Sequence, residues 1–450
     1  MTMQLLALVA EHNEIVCEAA SMSTEFPVPE EPSIVECMQP KEDEWVDYSV
    51  YRDTVTSTPL RTDLVHQGMK EELEYMQKKQ LWNRFDTWQE AVDEVHRRGQ
   101  EVDATVAGKW VVTNKGDHNA PDVRCRMVAC EVAYGKTTAT EADYFAPTPP
   151  LEAMKALVVA ASADKDSGLM IVDISKAHLN GDMVRGVIVR LPAEAGGGFA
   201  VLNKVLYGCR DAARQWDRKV QEVLEAYELR QGVSCPCVWT GKGLRVVIHG
   251  DDFVIHGQGD DLYEFKAYLE SVWLLKFRGI LSGSAALRTA TSIRLLGRYL
   301  SVDDNGFMLE ADARHAELLS VGLGRPVNTP GSKAGRDGGG DDDEEEEDEE
   351  AEALNSEEAF HYRSLVMRAA YMGADRPDVS FAAKELAKEM SKPSRASVVR
   401  LKRLGRYLLG VPRVGIAFPW RSRLDNFVVV EVDADFAGCL RSRKSTSGLA

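Results

Sequence analysis

The run DDDEEEEDEE, residues 341–350, sets ten acidic side chains in succession directly after GSKAGRDGGG. No core can take in such a block, because like charges repel at every position and the glycines before it lose the most entropy on ordering. It reads as a disordered acidic linker over 331–355 that divides the 450-residue chain near residue 340. It also carries ten of the 17 net negative charges, leaving −7 for everything else, so a nucleic-acid partner is not excluded by charge.

With 44% hydrophobic residues, the rest of the chain is long enough for a substantial core in two or three domains. MTMQLLALVA lacks a basic start and no apolar run nears the length of a membrane span. This reading implies an intracellular chain, cytoplasmic or nuclear, neither secreted nor membrane-bound. Eight scattered cysteines fit reduced thiols. Cys235 and Cys237 with His249 and His256 can be drawn as a zinc site, but C-x-C spacing suits structural zinc poorly. Residues 1–62, acidic and proline-bearing, read as a poorly ordered tether. A helix is predicted from Thr62, as its N-cap, to Lys79, with Leu64, Met69, Leu73 and Met76 as the apolar stripe.

VVIHGDDFVIHG, residues 246–257, reads as strand, tight turn, strand. A plain hairpin prefers Asn-Gly or Asp-Gly at its turn, whereas Asp251 and Asp252 stand side by side and repel unless a divalent cation lies between them and another ligand. A solvated Asp-rich turn is the bland alternative. GLMIVDISKAHLNGD reads as a buried strand ending at Asp173, where a helix N-cap is the bland alternative. GKWVVTNK and DVRCRMVACEV read as paired strands, the second alternating Arg124 and Arg126 with apolar residues, and LEAMKALVVAASA reads as a helix. The fold class predicted is α+β. A sheet that gathers Asp173, Asp251 and Asp252 suits two-metal phosphoryl transfer, and Mg2+ prefers such oxygen donors. A phosphatase or nuclease would use the same acids.

The segments RCRMVA, ADYFAPTP, IVDISKAHLNGD, KVLYGCRDAARQWD, HGDDF, RLLGRYL, NTPGS, YRSLVMRAAYMGADRPDVSFAAKELAKEM and VDADFAGCLRSRKSTSG, in that order, resemble the polymerase region of copia-type retrotransposon Pol polyproteins. The resemblance runs from about residue 63 to the end of the chain. It implies a right-hand reverse transcriptase: fingers and palm over 63–330, a helical thumb or connection region over 356–422, and the start of a ribonuclease H-like domain over 423–450. It implies RNA-directed DNA polymerase activity with an RNA template, a DNA primer and dNTPs as partners, alongside other Pol products. Asp173, Asp251 and Asp252 then fall in the place of the catalytic and metal-binding acids, for two Mg2+ ions with Mn2+ as a substitute. Arg124 and Arg126 fall where basic finger residues meet the triphosphate. His178 falls where a flat ring excludes the sugar 2′-hydroxyl. Tyr207, Gly208 and Arg210 fall in the segment beneath the templating base, and Lys276 falls near a lysine that protonates leaving pyrophosphate.

This chain departs from the family pattern in several places. His249 and Gly250 precede the paired acids instead of an aromatic and a small apolar residue, and Cys209 and Ala213 replace the usual leucine and proline. A degenerate copy that binds nucleic acid without polymerising is the alternative reading, and a magnesium-dependent hydrolase would explain the acids alone. Arg395, Arg400, Lys402, Arg403 and Arg406 are expected to follow a duplex backbone. Asp433 matches the first ribonuclease H carboxylate; because the chain stops at Ala450, no ribonuclease H activity of its own is expected.

Overall fold

The computed structural model describes residues 50–117, 120–131, 144–331 and 352–421, with Ser445 and the backbone of 432–434 and 447–449. The acidic run, most of the N-terminal tether and nearly all of the ribonuclease H-like segment, Asp433's side chain included, lie outside the described residues. Within them, helices and largely antiparallel sheets are intermixed, as the predicted α+β class requires.

The centre is a six-stranded antiparallel sheet. Its order is β13 (Leu275–Ser282), β6 (Gly168–Ile174), β12 (Asp252–Gly257), β11 (Leu244–His249), β10 (Val238–Gly241) and β9 (Arg230–Gln231). Strand β6 reads GLMIVDI, with no polar residue before Asp173, because apolar layers cover both of its faces. Met170, Val172 and Ile174 pack with helices α4 (Ala212–Ala226) and α5 (Gly259–Val272) through Trp216, Val220, Leu262, Phe265 and Leu269. Leu169 and Ile171 face helix α3 (Leu151–Ser162) and a four-stranded sheet of order β14 (Ser292–Leu295), β15 (Arg298–Val302), β16 (Gly306–Ala311) and β17 (Gly415–Pro419).

A five-stranded sheet, β3 (Trp82–Phe85), β8 (Phe199–Leu202), β7 (Gly186–Arg190), β4 (Val102–Asn114) and β5 (Val123–Ala129), lies beside this body. Only β4 and β7 run parallel in it; the predicted pairing of β4 with β5 is present, with Val111 opposite Arg126. Helix α1 (Thr62–Lys78) docks against β5. Its buried stripe is Val65, Met69, Glu72 and Met76 rather than one through Leu64 and Leu73, because the face turned to Cys125 is set by Gly68, whose missing Cβ leaves only 3.0 Å to the Cys125 sulfur. Nor does Thr62 cap the helix: it is the first helical residue, after Arg61 in extended conformation.

Two expected boundaries move. Residues 50–61, read as the end of the tether, form a short hairpin, β1 (Tyr51–Arg52) with β2 (Pro59–Leu60). Buried Asp53 fixes its turn by accepting the Val55, Thr56 and Asn114 amides at 2.8, 2.9 and 2.7 Å. The acidic run does not separate two independent cores, because β17, beyond it, completes the sheet begun by β14, β15 and β16 before it. Among the described residues, three helices follow the run: α7 (Ser356–Gly373), α8 (Pro377–Ala387) and α9 (Arg395–Gly410); α6 (Arg314–Ser320) precedes it and packs with them.

The buried pair Arg298–Asp375, at 2.7 Å, ties β15 to the corner between α7 and α8. Asp375→Ala strips the partner from a guanidinium that is nearly inaccessible to water and is expected to cost about 3–5 kcal/mol. Urea unfolding checks this; a loss under about 1 kcal/mol would mean that solvent already reaches Arg298.

Candidate active site

Hairpin register brings the acids together. Asp252, first residue of β12, stands directly opposite Asp173 of β6, and Lys276 of β13 stands opposite Asp173 on the other side. Paired residues in adjacent strands share a face, so Asp252, Asp173, Lys276 and His249, the partner of Asp252 in β11, line one side of the sheet. Gly250 and Asp251 form the two-residue turn, and the left-handed φ of +64° at Gly250 suits a hairpin of this length. The turn is pinned twice: Trp216 Nε1 donates to the Gly250 carbonyl at 2.8 Å, and the Ile174 amide donates to the Asp251 carbonyl at 2.8 Å.

The electrostatics show what this costs. Burial first, then the Asp251 charge, raise the pKa of Asp173 and of Asp252 above the usual carboxylate value. Arg278 and Lys276 oppose the rise at Asp173, and Arg278 opposes it at Asp252. Arg278 was not singled out in the sequence. It lies where β13 changes register between Phe277 and Gly279, and its guanidinium stands 3.5 Å from the Asp252 carboxylate. Alternation along the strand, which carries it to the side of Lys276, was the available signal.

The other predicted residues fall in two groups. Arg126, Tyr207 and His178 form a chain beside the acids. The Arg126 guanidinium lies 5.3 Å from the Tyr207 ring centre, and the Tyr207 and His178 rings meet edge-on at 6.1 Å. Burial lowers the His178 pKa despite the nearby Asp251 charge, so at neutral pH the ring is uncharged. Burial and Glu72 raise the Tyr207 hydroxyl, which keeps its proton. Gly208 has φ +84°, and a Cβ there would lie 2.2 Å from the Ala129 carbonyl oxygen, so the loop passes β5 as closely as only glycine allows.

Arg210 belongs to a second group. Its amide donates to Glu131 at 3.0 Å, and Glu131 and Asp211 are in turn paired with Arg185 at 2.6 and 2.8 Å. This buried network, unforeseen from sequence, fixes the loop over 207–211 from behind. Lys176 was also missed: left-handed at φ +55°, it pairs with buried Glu72 and lies over the Tyr75 ring. Arg124 is on the same strand as Arg126, but Asp122 engages its fork at 2.9 and 3.1 Å.

The zinc site that could be drawn, already disfavoured by its C-x-C spacing, is not formed among the described residues, and the basic helix α9 is partly engaged by the protein itself. His256 is committed to Ser167 and Arg245 at 3.0 and 3.2 Å, away from any zinc role with Cys235 and Cys237. In α9, Arg395 pairs with Glu358 and Arg400 with Glu389, so two of its charges are balanced inside the protein, while Arg403 bonds Thr329 and Arg406 the Arg325 carbonyl. Among the described residues, no three Asp, Glu, His or Cys side chains are arranged to hold a metal as they stand. In kind, however, the donors fit a hard divalent cation: all are carboxylate oxygens, and burial first, then the Asp251 charge, raises the pKa of Asp173 and of Asp252.

Residues 95–294 match the family model described as reverse transcriptase (RNA-dependent DNA polymerase). The chain is 23% identical over 416 residues to the Retrovirus-related Pol polyprotein from transposon TNT 1-94 of Nicotiana tabacum, covering 86% of this chain and 29% of that protein. It is 25% identical over 369 residues to the Retrovirus-related Pol polyprotein from transposon RE1 of Arabidopsis thaliana, covering 76% and 23%. These matches bear out the resemblance to copia-type Pol polyproteins, although the chain spans only about a quarter of each relative's length. Among solved structures, it is similar to a foamy viral protease-reverse transcriptase in complex with double-stranded DNA, at TM-score 0.37 and 10% identity over 83% of this chain and 63% of that one. Among the described residues no helix is long and apolar enough to cross a membrane.

Because Asp251 raises both neighbours, Asp251→Asn is expected to lower the pKa of Asp173 and Asp252 and to raise the thermal midpoint in EDTA at neutral pH. The sign follows from linkage: a carboxylate whose folded pKa is raised weakens the fold above that pKa, and the penalty fades as pH falls through it. The gain should therefore shrink on acidification; an equal gain at every pH would trace it to something other than carboxylate repulsion.

Proposed function

We propose that this chain is an RNA-directed DNA polymerase of the copia type, in which a primer 3′-hydroxyl attacks the α-phosphate of a deoxynucleotide beside Asp173, Asp251 and Asp252. The observation that carries the reading is the strand register that sets Asp252 opposite Asp173 with Asp251 at the adjoining turn. Two Mg2+ ions, or Mn2+ in their place, would be held by these three carboxylates and, when bound, would lower the pKa of the attacking hydroxyl and stabilise the charged phosphoryl oxygens.

The remaining residues bind and orient. Arg126, with Arg124 once released from Asp122, neutralises triphosphate charge in the bidentate way guanidinium suits. Neutral His178, backed by Tyr207, offers a ring face to the sugar, and Gly208 lets the backbone approach the base pair. Arg210 lies in the same loop, held by the Arg185 network. Lys276, exposed beside Asp173, donates a proton to departing pyrophosphate. In this reading the five-stranded sheet serves as fingers, the six-stranded sheet as palm and α7 to α9 as the thumb or connection, with 423–450 as the start of a ribonuclease H-like domain. Duplex would be bound by backbone and shape, without sequence readout.

A second reading, a copy that binds nucleic acid without polymerising, is favoured by one feature: Asp252 is already paired with Arg278. Primer extension on an RNA template with purified protein and Mg2+ separates the two. Extension is expected, and Asp251→Asn should lower its rate by at least roughly two powers of ten. Duplex binding without any extension by the unmodified protein would instead establish the second reading.

A further inference from the structure

We propose that Arg278 is a tethered counter-cation that competes with the divalent ion for the Asp252 carboxylate and so sets how tightly the acid cluster takes metal. The proposal rests on the reading of that cluster as a metal site.

Three observations carry it. The guanidinium crosses from β13 over β6 to reach Asp252 on β12, at 3.5 Å, and donates a second bond to the Arg294 carbonyl on β14 at 2.6 Å. The second bond holds the charge in place without help from Asp252, so little entropy is lost when the ion pair closes. Arg278 sits at a local change of register: β13 shifts between Phe277 and Gly279, Gly279 has φ +134°, and a Cβ there would meet the Ala290 methyl at 2.9 Å.

The contact is also only partly buried, with the Arg278 and Asp252 side chains 29% and 19% exposed. It is therefore open enough for an ion to enter and displace the guanidinium, which a fully buried pair would prevent. Arginine does not lose its proton in proteins, so the competition operates at any working pH. A ligand that must first displace a competing internal partner binds with its affinity reduced by the fraction of time the site stands open.

The test measures Mn2+ binding to the full chain, without nucleotide or nucleic acid, from the fall in the electron paramagnetic resonance signal of free Mn2+. The binding step removed by Asp252→Asn is the one read, which separates it from ions taken up by the acidic run at 341–350. Arg278→Gln is expected to tighten that step about three- to tenfold. Should that variant fail to fold, Arg278→Lys makes the same comparison with a smaller expected gain, about twofold, since it keeps the charge but lacks the fork. An unchanged or weakened step would overturn the competition while leaving the metal site standing. Identical Mn2+ binding by the unmodified protein and Asp252→Asn would overturn both.

Discussion

Strand β6 is hydrogen-bonded along both edges and covered on both faces, and the rest of the molecule is arranged about it. Leu169, Met170, Ile171 and Val172 are fully buried, each worth about 1.5–3 kcal/mol relative to exposure. That burial is what can hold Asp173, at the end of the strand, beside two further carboxylates. Isolated from this frame, the three charges would move apart; inside it, burial and then the Asp251 charge raise the pKa of Asp173 and of Asp252. Sites that bind charged ligands commonly carry such uncompensated strain and lean on the surrounding core for it.

The same frame explains which features the sequence makes legible. A strand buried on both sides must be continuously apolar, so GLMIVDI announces itself and makes Asp173 conspicuous. The hairpin is legible for a related reason: β-branched runs flank Gly250, where the two-residue turn needs a left-handed residue. The resemblance to Pol polyproteins placed Arg126, His178 and Tyr207 near the acids, and they are found linked in one chain of contacts there. What stayed hidden was choice of partner. Asp122 takes the fork of Arg124, Glu358 and Glu389 take arginines of α9, and Arg278 reaches Asp252 across an intervening strand. None of these follows from residue type, because each depends on which backbone segment passes alongside.

Partner choice also decides the sign of the field at the site. Arg395 and Arg400 are paired with neighbouring carboxylates and Arg403 and Arg406 bond neutral oxygens, whereas Arg124, Arg126, Lys276 and Arg278 stand close enough to act on the acid cluster or the rings beside it. The surface around the acids is thus locally mixed in charge among the described residues. Any anion brought to such a place would rely on a few short-range contacts, since exposed charges farther away are screened within about 8 Å at physiological salt.

The acidic run finds its place by the same reasoning. It was expected to divide the chain into separate domains, yet the segments on either side of it join one sheet, and the flanks are fastened. Before it, Arg403 bonds Thr329 at 2.9 Å and Arg406 bonds the Arg325 carbonyl at 2.7 Å; after it, Ala353 bridges to Ser394, and Asn355 caps α7 by accepting the Glu358 amide at 2.9 Å. Closing a connection between fixed ends costs free energy only logarithmically in its length, about 0.6 kcal/mol for each doubling. Composition alone thus does not show whether the segments on either side of a charged run share one core.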